Sequence, residues 1–187
     1  VKEEINKALA FLKEGKLILY PTDTIWGIGC DATNYKAVDR IYHLKQRVET
    51  KSMIILLDDA GKLHKYVKEV PGITIDLVNS VDSPLTVIYP GAQGLAKNVV
   101  ASDGTIAIRI VRDEFCRELI RLLGKPLIST SANVSGTIDP ITYNQIPAVI
   151  KNGVDFIVDH HRDRIVTARA SRIIKMENNG EFTVIRK

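Results

Sequence analysis

Residues 127–136 read LISTSANVSG, and four hydroxyl side chains, Ser129, Thr130, Ser131 and Ser135, gather there around Asn133. Such a cluster could attack a substrate or bind one. Attack by a serine needs a base within hydrogen-bond reach and usually a third group that orients the base. The chain has only His43, His64, His160 and His161, none in a motif that pairs with serine, and TSANVSG is not the G-x-S-x-G elbow of a hydrolase. The sequence therefore supplies no base to activate a serine in this stretch. Metal ligation by the adjacent histidines of DHHRDR is disfavoured, because neighbours on a strand point to opposite faces, and a solvated loop is the competing reading.

Three further stretches carry residues suited to chemistry. LKQRVETK (44–51) places Lys45, Arg47 and Lys51 between an amphipathic helical pattern and a strand. An Arg and Lys pair converging at a strand edge suits phosphate, with bidentate donors from Arg and a point charge from Lys; cations that complement a helix C-terminus are the alternative. In TIAIRI, alternation puts Thr105, Ala107 and Arg109 on the face opposite Ile106, Ile108 and Ile110, so Arg109 faces solvent or a cavity. YPTDTIWGIGCDA (20–32) contains Gly27, Gly29 and Ala32 at dinucleotide-loop spacing. PTDTIW separates those glycines from the preceding strand and TNY from the next helix, whereas a dinucleotide loop joins strand to helix directly. Glycines permitting a sharp bend, with Thr22 and Asp23 satisfying local backbone groups, are the competing reading. The chain has no G-x-x-x-x-G-K-[ST] motif, so any phosphate is held without a P-loop.

The elements that must position these residues alternate in type. Ile5, Ala8, Leu9 and Leu12 share one helical face that Gly15 ends, and helical patterns recur at 36–44 and 114–123. Strand patterns are KLILY, MIILL, LTVIY, TIAIRI, PLIS, DFIVD, RIIKM and FTVIR, the last two joined by ENNG as a tight hairpin. Interleaved strands and helices predict an α/β fold with a mixed sheet. The 187 residues suit one domain, with no linker or repeat to divide them. A 45% apolar and 26% charged composition is that of a globular protein, and no apolar run approaches a membrane span. The first residues lack the apolar core of a signal peptide, which predicts a cytoplasmic protein with Cys30 and Cys116 reduced. A net charge of +4 favours anionic ligands only slightly.

Taken in order, PTDTIWGIGCDA, LKQR, AIR and PLISTSANVSG resemble the YrdC family of threonylcarbamoyl-AMP synthases, from about residue 5 to the end of the chain. The resemblance implies a twisted mixed sheet with flanking helices around a basic cavity. It also implies synthesis of threonylcarbamoyl-AMP and pyrophosphate from L-threonine, bicarbonate and ATP, for threonylcarbamoyladenosine in tRNA. Lys45 and Arg47 would be catalytic, while Arg47, Lys51, Thr105, Ser131, Asn133, Asp139 and Arg186 would bind ATP. Thr24, Arg109, Ser129 and Ser171 would bind threonine. Mg²⁺ would arrive with ATP, held mainly by phosphates and water, so no metal ligand is assigned. Threonylcarbamoyl transferase proteins would act downstream, and tRNA is a further expected partner; no membrane is involved.

The sequence departs from the family pattern at Val48, where proline is frequent, at Leu56, where some relatives carry a histidine near threonine, and at Arg172, where threonine is common. The C-terminal domain of longer relatives is expected to be lacking. Two other functions compete: a non-catalytic protein binding tRNA or double-stranded RNA, and an enzyme that adenylates carbamate for another acceptor.

Overall fold

The computed structural model describes residues 1–47, 53–165 and 170–187. Its elements run α1 (Lys2–Lys13), β1 (Ile18–Tyr20), β2 (Gly27–Gly29), α2 (Tyr35–Lys45), β3 (Ile54–Leu57), α3 (Gly72–Ser80), β4 (Leu85–Tyr89), β5 (Ile106–Ile110), α4 (Glu114–Leu123), β6 (Leu127–Ser131), α5 (Ala148–Gly153), β7 (Phe156–Ile157), β8 (Arg172–Met176) and β9 (Phe182–Arg186). Among the described residues the strands form one mixed sheet in the order β7-β1-β2-β6-β3-β5-β4-β8-β9. The α/β reading and the mixed sheet hold.

Alternation along the strands sorts side chains to two faces. Leu17, Leu19, Ile28, Ile55, Leu57, Ile106 and Ile108 join α2 residues such as Val38 and Ile41 in one buried cluster. Ile18, Tyr20, Leu56 and Leu127 point the other way, into a second cluster with Ile5, Ala8 and Leu12 of α1 and Phe115, Leu119 and Ile120 of α4. Helix starts are set by side-chain caps, Asn34 accepting from the Ala37 N–H and Asp113 from the Cys116 N–H. Cys30 and Cys116 are free thiols buried in different clusters. Burial pushes both thiols well above their ordinary range, so neither is an activated nucleophile.

The sequence reading missed β2, because Gly-Ile-Gly looks like loop. The strand needs those glycines. A Cβ on Gly29 would meet the Tyr20 ring at 2.6 Å and the Ile128 carbonyl oxygen at 2.7 Å. The missing side chain lets the Tyr20 ring lie over the strand, where its hydroxyl donates to the Ile128 carbonyl at 2.8 Å. The dinucleotide reading fails for the same reason, since these glycines pair with β1 and β6 as sheet. The ENNG hairpin forms as expected, with Gly180 at φ 86° and its N–H donating to the Glu177 carbonyl.

The face covered by α1 and α4 is covered over only part of its area. Across β6, β3, β5, β4, β8 and β9, register aligns Leu127, Leu56, Arg109, Thr86, Ile173 and Arg186 in one row. The neighbouring row runs Ser129, Ile54, Ala107 and Ile88. Leu127 and Leu56 sit in the cluster under α1 and α4; beyond them the same face becomes polar and open.

Candidate functional site

That open part of the face is a cavity of about 310 Å³ whose wall includes Thr24, Arg47, Arg109, Ser129, Ser131, Asp139, Ser171 and Arg186. Eight residues expected from the sequence are thus brought together from β5, β6, β9 and four loops or strand ends. Three guanidinium groups face one carboxylate, Asp139. A wider cleft of about 610 Å³ beside α1 and α4 mixes Asp58, Arg117, Glu118 and Arg121 without a convergent set.

Local structure explains how Arg47 reaches the wall. Gln46, just past α2, adopts the left-handed conformation at φ 51°, and the Arg47 N–H turns back to the Tyr42 carbonyl at 2.9 Å. This helix ending throws Arg47 outward and leaves Lys45 on the buried side. Lys45 is only 1% exposed and does not line the cavity. Its ammonium donates to the carbonyl oxygens of Ser131 and Asn133 and to the Asn133 side-chain oxygen, while its own carbonyl accepts from the Ser135 N–H. Lys45 therefore acts as a clamp on the 131–135 turn, one layer behind the site, which corrects its expected position among the reacting groups.

Asn133 is the knot of that turn. Its side-chain oxygen accepts from Lys45 and from the Ser131 hydroxyl at 2.7 Å, and its amide nitrogen donates to the Thr137 carbonyl at 2.9 Å and to Asp139 at 3.0 Å. Both N–H donors are used, so Asn133 shapes the turn and holds Asp139 without a side-chain donor left over for phosphate. The Ser131 hydroxyl faces an amide oxygen, which is no base, and no histidine lines the cavity among the described residues. No activated serine exists there.

Arg109 provides the site's most informative feature. It is 3% exposed in the middle of the sheet, and its Nε and Nη2 have no hydrogen-bond acceptor among the described residues. Nη2 lies 3.0 Å from Asp23 Oδ1, an ion pair whose atoms are not aligned as a hydrogen bond. Buried guanidinium donors without acceptors are costly, and a planar two-oxygen anion would satisfy both. Beside it Thr24 is fixed by Thr22, whose hydroxyl lies 3.0 Å from that of Thr24 and donates to the Ile25 carbonyl at 2.7 Å. Ser171 bonds Thr86 at 2.8 Å through its hydroxyl, and its carbonyl receives two bonds from the Arg186 guanidinium.

One expected site residue lies elsewhere, and two departures from the family pattern fall off the cavity wall. Thr105 is not on the wall: it precedes β5, and its hydroxyl and N–H both donate to Asp103 Oδ1 at 2.6 and 3.0 Å. Alternation does not extend past a strand end into a turn. Leu56 is fully buried among Tyr20 and Leu127 and does not line this cavity, and Arg172 is exposed on β8. Lys51 and Val48 lie outside the described residues. Sequence reasoning placed Ala107 on the face of Arg109 but missed the apolar walls Ile54, Ile88 and Ile173, which reach the cavity only through pairing between strands distant in sequence.

Electrostatics yields a testable pH dependence. Burial first, and then the charge of Arg47, bring the Lys45 ammonium down to about 8, with Asp139 opposing. Below that pH the group is a cation with three donors; above it one donor is lost while three oxygens still face the nitrogen. Binding of an anionic ligand in the cavity, measured on the free protein, is expected to weaken as pH rises through about 8. A profile that stays level through that range contradicts the clamp.

Comparison with known proteins agrees with this geometry. The Sua5/YciO/YrdC family model, described as "Telomere recombination", matches residues 10–187. A threonylcarbamoyl-AMP synthase of Pseudoalteromonas translucida is 34% identical over 158 residues, covering 83% of this chain and 84% of the relative. A putative threonylcarbamoyl-AMP synthase of Methanocaldococcus jannaschii is 35% identical over 189 residues, covering 98% and 87%. The structure of Pyrococcus abyssi Sua5 complexed with L-threonine superposes with a TM-score of 0.83 at 29% identity, over 92% of this chain and 50% of that one. The chain thus spans half the length of that longer protein. Escherichia coli YciO, at 22% identity, shares the fold with a TM-score of 0.85, over 100% of this chain and 90% of its own. A match that takes in every strand among the described residues and the whole cavity leaves one conclusion: the chain belongs to the Sua5/YciO/YrdC family.

Proposed function

We propose that the chain is an L-threonylcarbamoyladenylate synthase, a nucleotidyl-transferring enzyme that supplies the adenylate for threonylcarbamoyladenosine in tRNA. The observation that carries the reading is the buried Arg109 guanidinium, with two open donors, on the wall of a cavity shared with Arg47, Arg186 and the turn at 131–133. The names of the Pseudoalteromonas and Methanocaldococcus relatives support the same reaction, and the L-threonine complex of P. abyssi Sua5 supports the amino acid.

The reaction needs no protein nucleophile. The amine of L-threonine adds to the carbon of CO₂ derived from bicarbonate, giving a carbamate and releasing a proton. A carbamate oxygen then attacks the α-phosphorus of ATP in line, and the bond to the β-phosphate oxygen breaks as pyrophosphate leaves. The protein's part is positioning and charge compensation. Arg109 holds the α-carboxylate, with Thr24, Ser129 and Ser171 around the amino acid, and Arg47 and Arg186 face the phosphates. The turn clamped by Lys45 and Asn133 presents Ser131 and Asp139 on the nucleotide side.

Mg²⁺ fits as an ion carried by the triphosphate. Asp139 is the one carboxylate on the described wall and already accepts from Asn133, so no all-protein cage is built among the described residues, and ATP phosphates and water would complete the shell. When carried in with ATP, Mg²⁺ would offset negative charge on the pyrophosphate oxygens. The product would pass to threonylcarbamoyl transferase proteins acting on tRNA, in the cytoplasm; no helix among the described residues is long and apolar enough to cross a membrane. Pyrophosphate release that requires both L-threonine and bicarbonate is the expected outcome, and its measurement tests the reading.

A further inference from the structure

We propose that Asp23 is the internal counter-ion of Arg109, balancing the guanidinium while the amino-acid site is empty and holding the affinity for an incoming carboxylate below its maximum. The inference rests on the assignment of Arg109 to the substrate carboxylate.

The geometry separates charge balance from hydrogen bonding. Asp23 Oδ1 sits 3.0 Å from Arg109 Nη2, with side-chain exposures of 15% and 4%, yet neither atom has a hydrogen-bond partner. Asp23 therefore compensates the charge of Arg109 and leaves the Nε and Nη2 donors open. Its place is equally informative. Arg109 lines the 310 Å³ cavity and Asp23 does not; Asp23 instead lines a neighbouring cavity of about 200 Å³ with Val78, Asp82 and Arg112. The carboxylate stands off the wall of the amino-acid site, so it is not placed to receive the substrate's ammonium group.

The surroundings make this charge felt. Burial raises the pKa of Asp23, the charge of Arg109 opposes that rise, and Asp113 adds a second negative charge nearby. Asp82, the other acid of the small cavity, is fully exposed and paired with Arg112 at 3.6 Å. A substrate carboxylate thus approaches a guanidinium whose Nη2 already lies 3.0 Å from a carboxylate oxygen. At an effective dielectric suited to such sites, a like charge about 6 Å away weakens binding by on the order of tenfold or more. Without that counter-ion the empty protein would keep a buried, uncompensated cation.

The test uses Asp23→Asn, which keeps shape and removes charge, in the full chain titrated with L-threonine by calorimetry and melted with and without it. Asp23→Asn is expected to melt lower than the parent when empty, to bind L-threonine about tenfold more tightly, and to gain more from L-threonine in melting temperature. A merely structural role would never tighten binding. Equal or weaker binding by the folded variant overturns the proposal. Because Asp23→Asn strands a buried cation, the double variant Asp23→Asn/Arg109→Gln is expected to melt above it; a double variant no more stable, or a failure of both to fold, also overturns the counter-ion. Undiminished L-threonine binding by Arg109→Gln alone would overturn the carboxylate assignment itself, whereas loss there with unchanged binding in Asp23→Asn overturns only the role of Asp23.

Discussion

Arg109→Gln is expected to raise the KM for L-threonine by about 10²-fold or more, with the affinity for ATP measured alone changed little. Truncating one partner of a buried, hydrogen-bonded charge pair costs roughly 2–5 kcal/mol, and each 1.4 kcal/mol is about tenfold. The loss should fall near the upper end, because Arg109 is 3% exposed and glutamine leaves the half-buried Asp23 without its cation. Arg109→Lys should recover little. A point charge on a flexible stem does not reproduce the Nε and Nη2 fork that the cavity leaves open. Steady-state kinetics with L-threonine varied at saturating ATP, beside direct ATP binding, gives the measurement. Loss of ATP affinity with an unchanged L-threonine KM would move Arg109 to the nucleotide.

Arg47→Ala is expected to lower turnover by about 10²-fold or more at saturating substrates, the loss typical of removing one preorganised charge partner. Arg47 lines the cavity, and partial burial lowers its pKa without approaching neutrality for a guanidinium, so it stays a cation at working pH. In a phosphoryl-type displacement charge spreads over the phosphate oxygens as the leaving group departs, and a fixed guanidinium gains most at that moment. The effect should therefore appear in kcat as well as KM. Pyrophosphate release against time reads it directly; a variant that matched the parent would remove the basic segment from the site.

Much of this was legible in the chain, for physical reasons that also mark where legibility ends. LTVIY, RIIKM and FTVIR became β4, β8 and β9 with their bounds unchanged, because alternating or continuous apolar runs of strand length fit little else. Arg109 was placed on the face opposite its isoleucines, and Ala107 beside it on the cavity wall confirms that face. Thr105 shares the same parity yet lies in a turn closed by Asp103, which alternation does not see.

Lys45 and Arg47 looked like one basic cluster. The left-handed Gln46 divides them, turning one inward as a clamp and the other toward the cavity, and no propensity rule announces a non-glycine residue at φ 51°. The β6 strand runs through Ser131, two residues past PLIS, because Thr130 and Ser131 pair with Ile28 and Gly27 across a partner strand that composition had hidden. The pairing of Asp23 with Arg109 depends on strands distant in sequence, so neither motif contained it.

The central claim is that the substrate supplies the nucleophile and the protein supplies fixed charge. Pyrophosphate release by the purified chain, with L-threonine and bicarbonate each omitted in turn, tests it most directly. The account predicts release from ATP only when both are present. Release that continues without either one, or none from ATP-binding protein supplied with both, would contradict it.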